Sequence, residues 1–424
     1  MAWETLKISS PGRKLLWIAC SALWLALFLL SARALDLTIP YLPLAIAGGL
    51  VFYLRLSPRV PELVAWVLLS AGFGLVVRSP RDHSWINAGS GILALFGLGA
   101  FFILGLRWLW SEASERRKVY AMFAPAASLV FFVFSAQRAL SLANLLYPKT
   151  FDLYLYVFDG SFGFQPSFLA GRAMAASFVL RIACLLTYVS LPFVMALVYA
   201  LCMPKGAERP SWDLITLFLL AGISGWALYN VVPATGPAYV FGADFPWHSL
   251  PYRSLPRLFL ERIPVNPDIP RNAIPSLHMA WVILLYWNTK GLSRGLRIFL
   301  AVYLALTVVS TLGIGEHYFI DLVAGLPFAL FVQVMVSPGQ RQKLAFPRRA
   351  TAIGSALALT IAWLLLVRFG TKWMLVSPIL PWVLVAATGV AVWRIKAWAS
   401  EVASGSTQPN DATPPQALAF GAHG

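Results

Sequence analysis

The sequence predicts an all-α, polytopic membrane protein with about twelve transmembrane helices. Three observations carry this. Hydrophobic residues make up 59% of the 424-residue chain, charged residues only 12%, and the mean hydropathy is +0.72. The apolar residues gather into runs of the length a bilayer requires. The lysines and arginines concentrate in the short loops between those runs, as they do when they fix membrane topology.

In chain order the first run, about 15–35, has no convincing cleavage site behind it and is read as a retained helix. Runs at about 39–55, 60–77 and 86–110 follow, then one at about 119–146 after the basic loop SEASERRK. The stretch Tyr147–Gly171 is too interrupted by turn residues to span and reads as an interfacial or re-entrant element. Further helices are expected at about 173–202, 212–231, 274–289, 296–314, 317–336, 350–368 and 373–394. A long Pro- and aromatic-rich loop, 233–273, precedes the eighth of the twelve runs, and the polar tail from Ala399 reads as disordered.

The formal net charge of +16 then reports topology rather than nucleic-acid binding. With the N-terminus in the cytoplasm, the inner loops receive Lys7, Arg13, Lys14, Arg116, Arg117, Lys118, Lys290, Arg294, Arg297, Arg341, Lys343, Arg348 and Arg349. An even helix count returns the C-terminus to the same side. The three cysteines lie in apolar stretches without metal-like spacing. The seventeen tryptophans fit an interfacial belt, and the glycine-rich run Gly89–Gly105 fits close helix packing rather than nucleotide binding.

This topology brings polar residues from different helices to the extracytoplasmic side. His317 and Asp321 are four residues apart and share a helix face. A carboxylate on one imidazole nitrogen fixes the tautomer and raises the basicity of the other, which suits a nucleophile or base. His278, on a separate helix, is placed to protonate a leaving oxygen. Pro275 and Ser276 open that helix, and a helix N-terminus with free amides and a hydroxyl is a phosphate site. Arg271, Arg138 and Arg181 are candidates for the non-bridging oxygens of a phosphoryl group, because guanidinium grips such oxygens in a fork. Arg271 also fits an interfacial anchor and Arg138 a snorkelling side chain. Asp152 and Asp159 read as a solvated interfacial pair, with a metal or acceptor hydroxyl as the alternative. His83 and His248 fall in loops and His423 in the tail.

The motif PSLH, followed some forty residues later by HYFIDLVAG, resembles the second and third signature motifs of the type 2 phosphatidic acid phosphatase superfamily. Its form is most similar to the branch containing inositol phosphorylceramide synthase and related inositol phosphotransferases. The resemblance implies a six-helix catalytic core with His317 as the residue that becomes phosphohistidine, Asp321 as its orienting partner, His278 as general acid and Ser276 as a phosphate ligand. It implies no metal and no cofactor. The superfamily's common first motif is missing, since Lys205–Pro210 reads only KGAERP, and Thr311 stands where the third motif usually has arginine. The segment Tyr229–Tyr239, YNVVPATGPAY, is a candidate to take the first motif's structural place.

Four parts are expected: an N-terminal four-helix membrane extension (1–118), the catalytic core (119–337), a C-terminal helix pair (338–398) and the tail (399–424). The resulting expectation is an integral-membrane phosphotransferase. It moves an inositol-phosphate-like head group from a lipid phosphate or phosphodiester to an inositol, sugar or lipid hydroxyl, on the periplasmic or lumenal face. Hydrolysis of a phosphatidic-acid-like or polyprenyl phosphate is the same chemistry with water as acceptor. A transporter or flippase, and a metal-dependent glycosyltransferase, remain open as other classes.

Overall fold

Long apolar runs with few internal breakers give helices, and a computed structural model shows an almost wholly helical chain. The structure describes residues 10–33, 37, 39, 41–77, 85–204, 206–207, 209, 212–289, 292–336 and 346–404. Lys7, His83, Lys205, Lys290, Arg341, Lys343, His423 and tail residues 405–424 lie outside them.

The N-terminal helices are α1 (Ser10–Arg33), α2 (Leu42–Arg55), α3 (Val60–Val76) and α4 (Trp85–Trp110). They are followed by α5 (Ala113–Leu146), the short strand β1 (Lys149–Thr150), α6 (Asp152–Gly160), α7 (Pro166–Ala176), α8 (Phe178–Val189), α9 (Leu191–Cys202) and α10 (Trp212–Tyr229). The long loop carries α11 (Pro237–Phe241) and β2 (Ile263–Pro264), which pairs antiparallel with β1. Then come α12 (Leu277–Asn288), α13 (Arg294–Ile314), α14 (Phe319–Val336), α15 (Phe346–Leu365), a π-helical turn at Leu366–Gly370, α16 (Thr371–Met374) and α17 (Ile379–Ser404).

The single helix expected at 173–202 is three helices. Ser177 leaves helical geometry (φ −128°, ψ 111°) and its Oγ accepts the Leu180 N–H, capping α8. The α7 and α8 axes are bent by 119° across that residue. Pro192, lacking an N–H, sits in the first turn of α9 and separates it from α8 at Ser190. Among the described residues six helices are long and apolar enough to cross a membrane, or seven counting the α7–α8 pair as one span. Others, such as α2 with 14 residues, are apolar but short. At 1.5 Å per residue α2 reaches only about 21 Å of a hydrocarbon core near 30 Å.

Helix α14 is buried on every side, as a helix apolar around its circumference apart from Asp321 and Gln333 requires. It packs against α10, α12, α15 and α17. The N-terminal helices dock through α2, which lies on α4, α5 and α9. The expected small-residue packing is found there: a Cβ built on Gly97 would stand 2.2 Å from the Ile46 carbonyl oxygen. The C-terminal pair closes over α6 and the 228–232 segment, with Arg368 Nη1 donating to the Val231 carbonyl at 2.9 Å and Trp382 Nε1 to that of Phe162 at 3.3 Å.

Asp152 and Asp159 depart from the expectation of a solvated pair. Seven residues apart, they share one face of α6, and both are buried. The Asp152 carboxylate accepts the Thr235 N–H and hydroxyl and the Gly236 N–H at 2.9–3.2 Å. Asp159 accepts the Phe319 N–H at 2.6 Å and the Ile320 N–H at 3.0 Å. Burial pushes both carboxyl groups above the usual carboxylate range, and the amide hydrogen bonds oppose it. The carboxylates therefore act as staples, Asp152 to the loop after α10 and Asp159 to the start of α14. Asp159→Ala strands two buried amides, at a cost of about 1–3 kcal/mol for each group left unpaired. The expected result is a lower thermal unfolding midpoint for purified Asp159→Ala, with Asp159→Asn in between because its amide oxygen still accepts one bond.

Candidate active site

The site is built where α13 ends and α14 begins. Gly315, with φ 84°, terminates α13 in the left-handed conformation that glycine adopts without penalty. The backbone then doubles back so that the His317 N–H reaches the Thr311 carbonyl at 3.2 Å. A second glycine holds this turn from outside. Gly236 has φ 137°, and a Cβ there would lie 2.6 Å from the Gly315 and Glu316 carbonyl oxygens. The 229–239 segment thus packs directly on the turn carrying His317, and the Ala238 N–H donates to the Gly315 carbonyl at 3.0 Å.

His317 lies two residues ahead of α14, not on it. Asp321 occupies the third position of the helix, and its Oδ2 reaches back to the Tyr318 N–H at 2.7 Å, half of a capping box. The same oxygen is 3.4 Å from His317 Nδ1. Together with Asp159, Asp321 satisfies the amides of Tyr318, Phe319 and Ile320, which a helix otherwise leaves unpaired. The spacing of four does join histidine and carboxylate, through a helix cap rather than across a helix face.

On the other side of the ring, His317 Nε2 is 3.2 Å from Ser276 Oγ. Ser276 is the N-cap of α12: its Oγ accepts the Met279 N–H, and its own N–H donates to the Asp321 carbonyl at 2.9 Å. With Nδ1 facing a carboxylate, the proton belongs on Nδ1 and the lone pair on Nε2, where the Ser276 hydroxyl donates. His317, Asp321 and Ser276 are all buried. Burial lowers the His317 pKa to about 4, against the raising influences of Glu316 and a backbone hydrogen bond. The ring is therefore neutral at physiological pH, as a nucleophile requires.

His278, in the first turn of α12, sets its ring 6.1 Å from that of His317, centroid to centroid, at 67°. The ring stacks on Tyr188 at 4.3 Å and 15° and meets Tyr41 at 5.4 Å. Glu316 beside His317 accepts the Tyr239 hydroxyl at 2.6 Å. Sequence reasoning missed Tyr41, Tyr188, Tyr239 and Glu316, because nothing in their local sequence marks convergence from four separate segments.

The three arginines take other roles. Arg271 is 1% exposed, and its guanidinium is turned to backbone carbonyls of Tyr147, Asn266, Val265 and Ile269. It ties the loop before α12 to the end of α5 instead of offering a fork to phosphate, because a buried guanidinium needs its donors filled. Arg138 and Arg181 are exposed, each 5.6 Å from the ring of a phenylalanine on its own helix, Phe134 and Phe178. Neither has a described contact with the histidines. Thr311, where arginine was sought, spends its hydroxyl on the Thr307 carbonyl at 2.8 Å. A polar cavity of about 840 Å³ opens at the opposite end of α2, lined by Arg55, Arg59, Glu62, Arg107 and Glu115, and is not the histidine site.

The fold and this pair of histidines define a class first: an integral-membrane protein with a buried, carboxylate-oriented imidazole facing a second one. Within it, residues 153–335, less than half of the chain, match the family model described as the PAP2 superfamily, whose members are phosphatases or phosphotransferases. The matched segment includes Ser276, His278, His317 and Asp321. No curated protein and no solved structure matches the chain. The match and the apolar helices together support a membrane lipid phosphatase or phosphotransferase.

A direct check on His317 is its charge state. In histidine-labelled protein followed by NMR, the His317 signal should stay that of a neutral ring at pH 6. It should acquire a proton only as pH falls toward about 4.

Proposed function

We propose that this protein is an integral-membrane phosphotransferase that moves a phosphoryl-bearing head group between lipid alcohols through a phosphohistidine on His317. The observation that carries the proposal is the hydrogen-bonded line Asp321–His317–Ser276 with the His278 ring across from it. Asp321 holds the Nδ1 proton, so Nε2 presents its lone pair to phosphorus. His278 is disfavoured as a cation by its burial and takes up a proton as the anionic donor binds beside it. As the N–P bond forms, the P–O bond to the departing lipid alcohol breaks, and that oxygen takes the proton from His278. His278, now neutral, removes the proton from the acceptor hydroxyl. The acceptor oxygen attacks phosphorus, the N–P bond breaks, and both imidazoles return to their starting states. A phosphorus held in line between the two rings needs a wider gap than 6.1 Å, so donor binding has to move one of them.

Charge supports a diester donor over a monoester. The side chains described against the two histidines are Ser276, Asp321, Tyr41, Tyr188 and Trp281, with Glu316 adjacent, and none is cationic. A phosphomonoester dianion is poorly matched to such surroundings. A phosphodiester carries one negative charge, the smaller load for a site with no cationic side chain described against it. An inositol-phosphate-like head group fits this description. The twelve-span layout, cytoplasmic termini and extracytoplasmic active site belong to the same proposal, as do chemistry without a metal and the four-part division of the chain.

The test uses detergent-purified protein with a chelator present. The donors are dioctanoyl phosphatidylinositol and dioctanoyl phosphatidic acid, without and with ceramide, diacylglycerol or inositol, and products are separated by mass. The expected outcome is chelator-resistant formation of a new phosphodiester, reduced at least about a thousandfold in folded His317→Ala. Unchanged turnover in that variant would remove His317 from the chemistry. Phosphate release indifferent to every acceptor would make the protein a lipid phosphatase, and loss of turnover with chelator would bring a metal into the mechanism.

A further inference from the structure

The N-terminal helices lie outside the matched segment, yet one of their residues stands in the site. Tyr41 immediately precedes α2 and has φ 67°, ψ −18°. That left-handed conformation is uncommon for a residue with a bulky side chain and persists only where the surroundings hold it. What holds it is visible. The eight residues that follow, Leu42–Gly49, are all buried, and α2 is clamped between α4, α5 and α9. The Tyr41 ring lies 5.7 Å from that of Tyr188 and 5.4 Å from that of His278, tilted at 55° to each.

The Tyr188 ring is the link between Tyr41 and His278: it meets the Tyr41 ring on one side and the imidazole on the other. The Tyr188 ring lies flat on His278, 4.3 Å away and 15° from parallel.

We infer that Tyr41 is a positioning residue for His278: through its ring contacts with Tyr188 and with His278 itself, it aims the His278 imidazole at the leaving oxygen, so that the N-terminal helices form part of the catalytic unit. The inference rests on the reading of His278 as the leaving-group acid, and the experiment separates the two.

An acid that protonates the leaving oxygen matters for an alkoxide and hardly at all for nitrophenolate, which departs unassisted. Wild type, His278→Ala, Tyr41→Ala and Tyr41→Phe are compared on dioctanoyl phosphatidylinositol and on bis(p-nitrophenyl) phosphate, a diester of the same single charge. Tyr41→Ala should lower kcat on the lipid donor roughly ten- to hundredfold, with little change in KM and less than about a threefold loss on the nitrophenyl ester. Tyr41→Phe keeps the ring against His278 and should recover most of the rate. A selective loss for His278→Ala but not for Tyr41→Ala overturns this inference alone. No selective loss for His278→Ala overturns the acid assignment and the inference with it. A second measurement needs no turnover. The stacked Tyr188 ring shifts the His278 ring protons upfield in NMR, and the shift should collapse in Tyr41→Ala and persist in Tyr41→Phe. An unmoved His278 signal in folded Tyr41→Ala contradicts the inference whatever the donor.

Discussion

The first turn of α14 is the constraint on which the rest of the site depends. A helix beginning in an apolar interior presents amides that must be paired. Here two carboxylates pair them: Asp159 from α6 takes Phe319 and Ile320, and Asp321 reaches back to Tyr318. Because the same Asp321 oxygen also faces His317 Nδ1, the cap that stabilises the helix also sets the tautomer of His317. Gly315 and Gly236 make the turn possible by allowing two backbones to meet where side chains would collide. The chemistry is thus a by-product of how a buried helix is started, and it is anchored to the most enclosed helix of the fold.

The second half of the site comes from α12, whose N-cap Ser276 contacts both His317 and the α14 backbone. One serine therefore sets the distance between the helix bearing His278 and the turn bearing His317. Around this pair the protein has placed phenols and a carboxylate, while its buried arginine, Arg271, serves a loop. None of the three candidate arginines has a described contact with the two histidines, and this sets the site apart from the arginine-rich phosphate cradle expected from the sequence.

What was legible in the sequence was local. Apolar run lengths gave the helices, and the four-residue spacing of His317 and Asp321 gave their contact. PSLH placed Ser276 and His278 at a helix start, as observed. The break at Ser177 was missed because an apolar run looks the same whether it continues or folds back by 119°. Arg271 was misplaced because a guanidinium suits phosphate and carbonyl oxygens alike, and only the loop's path decides. The roles of Asp152 and Asp159 could have been suspected from two carboxylates seven residues apart in an otherwise apolar segment, FDLYLYVFDG. Tyr41 could not, since it meets His278 only through helix packing across more than two hundred residues of chain.

The claim at the centre of this account is a covalent intermediate on His317, and its most direct test is stereochemical. A donor made chiral at phosphorus by isotopic or thio substitution is offered with an acceptor alcohol, and the configuration of the product is read. Two successive in-line displacements through phosphohistidine predict net retention. Net inversion would mean that the acceptor attacks the donor directly, and it would contradict the assignment of His317 as nucleophile.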